Sequence, residues 1–127
     1  MTHSMFDREL AREILLQIIQ SIDKIERRFW PVDSIADLTD TDRGQERLDA
    51  ICMKLIAIGE SLKNLDKTTH GNLLSLYPEV EWKKAMAMRD VITHHYFDLD
   101  AEIVFSVCGK EIPDMKPIIR KMIEELA

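Results

Sequence analysis

Over residues 6–29 apolar side chains recur every three or four positions. Ala11, Ile14, Leu15, Ile18, Ile22, Ile25 and Phe29 fall on one broad face, with Arg8, Glu9, Gln20, Lys24 and Arg27 opposite. That period belongs to an amphipathic helix that buries one stripe and wets the other. Pro31 ends it, because proline disfavours helical backbone in the residue before it. A second stretch is more demanding. Ala50-Ile51-Cys52-Met53-Lys54-Leu55-Ile56-Ala57-Ile58-Gly59 is apolar almost all round. A helix of that kind is covered on more than one side. In a chain of 127 residues its own core supplies one cover, and a subunit interface is the natural candidate for the other.

The chain holds only 4 glycines and 4 prolines, and abundant Leu, Ile, Met, Lys and Glu favour helices. Its length suits one domain, residues 1–127, with a real core. No run approaches the roughly 18 apolar residues of a membrane span. The N-terminus lacks the apolar segment of a signal peptide. Cys52 and Cys108 sit inside helical patterns and read as reduced thiols, so a cytoplasmic chain with no membrane partner is expected. The net charge of −6 excludes the broad basic surface that drives tight non-specific nucleic-acid binding. It leaves room for a small cleft around a phosphate, with Arg89, Lys83 and Lys84 as nearby cations.

Residues 1–5 read as a disordered start. Residues 30–41 form a connection with a short turn at Asp33-Ser34-Ile35-Ala36, and Asp40 or Asp42 is expected to cap a second long helix over 42–65. Asp37, Asp40 and Asp42 lack the central glycine and distal glutamate of a calcium loop, so they read as caps and solvated groups. A connector over 66–79 contains a short helix at 72–76. Pro78-Glu79-Val80-Glu81 then opens a third long helix, which ends near His95 or Tyr96. Asp100 caps a fourth helix from Ala101 to about Lys110, and Pro113 and Pro117 kink or restart it. Ile118, Ile119, Met122, Ile123 and Leu126 close the core. Trp82 is expected to anchor the core, Trp30 to pack at a bundle end, the seven methionines to fill the interior, and His3 and His70 to be solvated. The result is an all-α, four- to five-helix up-and-down bundle.

The anomaly lies in the third helix. Trp82, Ala85, Met86, Ile92, Thr93 and Tyr96 share one stripe, and Arg89 falls in its middle. A buried guanidinium costs several kcal/mol, roughly, unless it is paired and hydrogen-bonded. Arg89 therefore needs a carboxylate, a phosphate or a wet cleft. Glu60, at the end of the apolar second helix, is the best-placed partner. His94, His95 and Tyr96 follow, all able to exchange protons or hydrogen-bond. No zinc pattern competes: His94 and His95 are adjacent and cannot both face one ion from a helix, and no further ligand lies at suitable spacing. No cofactor is implied.

The spacing Arg89-x4-His94-x-Tyr96 resembles the motif of the HEPN (higher eukaryotes and prokaryotes nucleotide-binding) family, and in particular its HepT-like branch of toxin–antitoxin ribonucleases. Ile58-Gly59-Glu60-Ser61-Leu62-Lys63 resembles that family's Gly-Glu stretch, and Tyr96-Phe97-Asp98-Leu99-Asp100 resembles the segment after the motif. The likeness runs over residues 8–126. Many members carry Asn after the motif arginine; here Asp90 adds negative charge beside the phosphate site. The resemblance implies metal-independent cleavage of an RNA substrate, with Arg89 and His94 catalytic and Glu60, Asp90, Thr93 and His95 supporting. It implies a two-fold homodimer with both motifs lining one interface cleft. It also implies a partner, a minimal nucleotidyltransferase antitoxin that attaches AMP to Tyr96 and switches the toxin off.

The residue chemistry suits this. Metal-independent RNA cleavage needs the 2′-OH deprotonated, the leaving oxygen protonated and the phosphorane charge stabilised. Histidine is the side chain whose ordinary pKa, about 6.5, serves either proton transfer at neutral pH. Arginine offers a fixed fork of donors to a phosphate. Positions five apart on a helix, however, point about 140° away from each other. Arg89 and His94 meet only if the helix unwinds between them or the site is shared across a dimer. Tyr96 has a plainer alternative, a core tyrosine whose hydroxyl satisfies Arg89 or a backbone carbonyl. Two rival functions remain: a non-catalytic HEPN module binding a nucleotide or a partner protein through the Arg89 cleft, and a helical dimerisation domain in which Arg89–Glu60 is only an ion pair.

Overall fold

A computed structural model describes residues 6–127; the expected disordered start and His3 lie outside them. The first helix, α1 (Arg8–Phe29), begins where the Asp7 carboxylate accepts the Leu10 amide at 3.0 Å. The short α2 (Ala36–Thr39) follows the expected turn. Asp37 accepts the amides of Asp33 and Ser34 at 2.8 and 3.1 Å, and these bonds hold its carboxyl below the usual carboxylate range. The long α3 (Asp42–Thr68) is capped by Thr41, whose hydroxyl accepts the Gly44 amide at 3.0 Å. Neither Asp40 nor Asp42 takes that role, since the residue with extended backbone at the cap is Thr41.

α3 ends in a paired-bond motif. The Gly71 amide reaches Asp66 and the His70 amide reaches Lys67, with His70 in the left-handed region at φ 55°. A single 3-10 turn, Leu74–Leu76, fills the connector. α4 (Trp82–His94) starts later than its sequence suggests. Pro78 and Glu79 lie in a turn, and the Trp82 indole donates to the Tyr77 carbonyl at 2.8 Å, which fixes the helix start at the buried tryptophan. α5 (Ala101–Ser106) is capped by Asp100 as expected. It runs without a break through a π turn, Val107–Glu111, into α6 (Ile112–Leu126). The expected kink is that wider turn, placed just before Pro113, which has no amide hydrogen to continue the regular ladder.

α3 packs between α1 and α4, and α1 also packs against α6. Every residue read from the α1 face except Phe29 is buried, and it meets Ile51, Leu55, Ile58, Leu62 and Leu65 of α3 and Ile119 and Met122 of α6 in one core. The bundle class is as the periodicity indicates. Three expectations change. Trp30 is 88% exposed and packs against no bundle end. Met115 and Met122 fill the core, but Met53 is 69% exposed. The apolar girdle of α3 is thus covered on only part of its circumference. Cys52 and Cys108 are free and buried, and burial pushes their thiols up to about 11 and about 12. Among the described residues no helix is long and apolar enough to cross a membrane.

Candidate functional site

α3 and α4 run antiparallel and lie close together at Gly59. A Cβ there would lie 2.8 Å from Arg89 Cβ and 3.3 Å from the Met86 carbonyl oxygen. The missing side chain lets α4 lie on α3 and brings Arg89 to Glu60, the next residue along. Three turns toward the start of α3, Asp49 meets Tyr96 just past the end of α4. Two polar contacts therefore bracket the seam, and Met53 and Ile56 lie between them on α3.

Arg89 is not in the core. Its side chain is 36% exposed, because only Trp82 and Ile92 of the expected stripe are buried and Thr93 and Tyr96 are exposed. The guanidinium sits at the wet edge of the seam, where pairing is cheaper than full burial. Its Nε lies 2.5 Å from Glu60 Oε1, but off the N–H axis, so the contact is an ion pair without an aligned hydrogen bond. Nη1 donates to Asp90 Oδ1 at 2.9 Å. Asp90 in turn accepts from Lys63 Nζ at 3.5 Å. The Arg89 bond first, and then the Lys63 charge, hold the Asp90 carboxyl below its usual range; the Asp90 bond and the Glu60 charge hold Arg89 protonated. The excess negative charge expected of Asp90 is thus met by two cations. Among the described residues Nη1 carries the hydrogen bond of the guanidinium and Nη2 makes none.

Thr93 turns back on its own helix and donates to the Arg89 carbonyl at 2.5 Å. His94 is the exposed last residue of α4. His95 ends the helix, its amide bonded to Val91 and its ring 3.9 Å from Asp98. Since α4 stays helical to His94, Arg89 and His94 keep their separation of about 140°. One chain does not bring them together, and the unwinding alternative is removed. The Tyr96 hydroxyl donates to Asp49 Oδ1 at 2.7 Å; it satisfies neither Arg89 nor a backbone carbonyl. That bond to a carboxylate raises the phenol above its ordinary range. Among the described residues no three His, Cys, Asp or Glu side chains group as metal ligands.

The sequence reading missed Asp49, Lys63 and the role of Gly59 as a point of close approach. A signal for Asp49 existed. Arg89 and Tyr96 are seven apart and Asp49 and Glu60 eleven apart, each spacing returning to nearly the same helix face. Two acids on one helix facing a cation and a phenol on its antiparallel neighbour was a legible pattern.

The family description "Ribonuclease HepT-like" matches residues 13–122. The chain belongs to the HepT-like ribonuclease family. Among the proteins it is similar to is one from Methanocaldococcus jannaschii whose name pairs a gamma-glutamylcyclotransferase with a candidate RNase. It is 32% identical over 88% of this chain, which spans 47% of that protein, about half its length. Another protein of that organism, named a candidate RNase, is 26% identical over 91% of this chain and 89% of its own length. A Thermococcus cleftensis protein named "Probable ribonuclease HepT" is 26% identical over 87% of this chain and 90% of its own. No solved structure matches the chain significantly.

Proposed function

We propose that this chain is a metal-independent endoribonuclease toxin of a toxin–antitoxin pair of the type II or VII kind. It works as a two-fold homodimer and is neutralised when a partner nucleotidyltransferase attaches AMP to Tyr96. The carrying observation is the unbroken α4. Arg89, held by Glu60 and Asp90, and His94, exposed at the helix end, lie on different sides of one unbroken helix. Each face is half of a catalytic pair, and a second copy of the chain supplies the complement. Arg89 of one copy stabilises charge on the scissile phosphate while His94 of the other moves a proton at the 2′-OH or the leaving oxygen. The 2′-OH requirement makes the substrate RNA and not DNA. The exposed Met53, with the half-buried Ile56 beside it on α3, supports an interface there.

A non-catalytic HEPN module is the second reading. One observation favours it: the two carboxylates on Arg89 leave the guanidinium close to neutralised. One experiment separates the two. RNA is incubated in EDTA with wild type, Arg89→Ala, His94→Ala, and the two variants mixed and allowed to exchange subunits. Wild type cleaves and each variant does not. The mixture recovers activity, because one composite site of each heterodimer keeps both residues. Cleavage by both single variants refutes the assignment; a silent wild type favours the binding module.

A further inference from the structure

The 3-10 turn Tyr96–Asp98 is separated from His94 by His95 alone and has no buried residue. Phe97 in its middle is fully exposed, and the half-buried Leu99 that ends it packs against the core, so apolar packing holds the far end of the turn and not the end next to α4. The Tyr96–Phe97 ring contact and the His95–Asp98 pair lie within the same segment and tie it to nothing else. Among the described residues, the side-chain bond that joins this turn to another helix is the 2.7 Å donation from the Tyr96 hydroxyl to Asp49 on α3. Whatever holds the turn also sets the last coil of α4, where the His95 amide closes on Val91 at 3.2 Å.

We propose that Asp49 and Tyr96 form a latch that positions His94, and that attaching a nucleotidyl group to the Tyr96 oxygen opens it. The second half rests on the modification reading above. In the chemical step the Tyr96 oxygen bonds to the α-phosphorus of ATP, and the bond from that phosphorus to the pyrophosphate oxygen breaks. Pyrophosphate leaves, and the phenolic proton passes to Asp49, the carboxylate it already faces, and on to solvent. The product has no hydroxyl to donate. It places a phosphodiester anion against a carboxylate where a donor stood, and like charges at that range repel. The turn then leaves α3 and carries His94 out of register. Bulk in the cleft is not required for inhibition. Asp49 and Tyr96 are positioning residues for the RNA chemistry, acting through His94 without touching substrate.

The test uses the full chain as wild type, Asp49→Ala, Tyr96→Phe and Asp49→Asn, with two readouts: RNA cleavage in EDTA and amide hydrogen exchange over residues 94–100. Tyr96→Phe removes the donor without adding bulk or charge. It and Asp49→Ala are expected to lower kcat about tenfold to a hundredfold, the loss that follows small misplacement of a reacting group, with KM for RNA little changed and exchange faster over the turn. Asp49→Asn keeps an acceptor oxygen and is expected to retain most activity and protection. Tyr96→Phe with wild-type kcat and wild-type exchange overturns the latch. Faster exchange in the variants with no cleavage by wild type supports the latch and overturns the nuclease reading. A chain nucleotidylated at Tyr96 that keeps wild-type exchange over residues 94–100 overturns the opening half.

Discussion

Gly59→Ala tests the seam on which the site is built. The new Cβ would stand 2.8 Å from Arg89 Cβ and 3.3 Å from both the Arg89 nitrogen and the Met86 oxygen. All of these atoms are fixed to backbone, so no rotamer change relieves the contact. The helices have to part by about 1 Å to reach ordinary carbon–carbon separation. Alanine gains about 1 kcal/mol of helix propensity over glycine, and overpacking of this kind costs about 1–3 kcal/mol. The net is a destabilisation of about 0–2 kcal/mol, small enough that the variant folds. The larger effect falls on Arg89, because the same displacement breaks its 2.5 Å contact with Glu60 and moves the guanidinium; a 1 Å misplacement lowers a catalysed rate up to about a hundredfold. Gly109→Ala is the control, since its Cβ meets nothing nearer than 4.0 Å. Urea unfolding and RNA cleavage in EDTA are compared for both variants. Should Gly59→Ala match Gly109→Ala in midpoint and cleave RNA like wild type, the close approach is not what sets the site.

Three further outcomes are expected. His70→Gly relieves a left-handed residue at φ 55° and raises stability by about 1 kcal/mol, a melting shift of a few degrees, roughly; a lower melting temperature contradicts the end motif assigned to α3. Thr41→Ala removes the cap on α3 and costs about 1 kcal/mol, while Asp42→Ala costs much less; equal losses in urea unfolding count against Thr41. Cys52 and Cys108 titrate near 9.0 when unfolded but at about 11 and about 12 in the fold, so stability is whole below pH 9 and falls as pH climbs toward those values. The loss is on the order of a few kcal/mol, read as a falling urea midpoint under reducing conditions; a midpoint flat from pH 8 to 11 refutes it.

Periodicity made the bundle legible because each long helix buries one stripe, and a stripe is a local property of the sequence. The cap at Thr41 was not legible: Asp40, Thr41 and Asp42 all cap well, and only the backbone angles choose among them. The start of α4 was misplaced for a related reason. Pro78 and Glu79 suit a first turn, but the burial of Trp82 and its bond to Tyr77 put the helix later. In the site, the Arg89–Glu60 pairing was readable from a charge with no other remedy. The exposure of Arg89 was not, because a stripe does not say where along a helix the core stops. Asp49 was missed because its partner is a neutral phenol, which does not demand a carboxylate as the Arg89 charge does.

The π turn at Val107–Glu111 has a consequence for the length of the chain. Each residue turns a helix by about 100°, so removing one from that turn would leave a smoother helix pointing the wrong way. Met115, Ile119, Met122 and Leu126, now buried, would swing away from α1, and the charged flank of α6 would face the interior instead. The irregular turn is what keeps the two ends of the final helical run in phase with one core, and sequence length there is as constrained as any buried side chain.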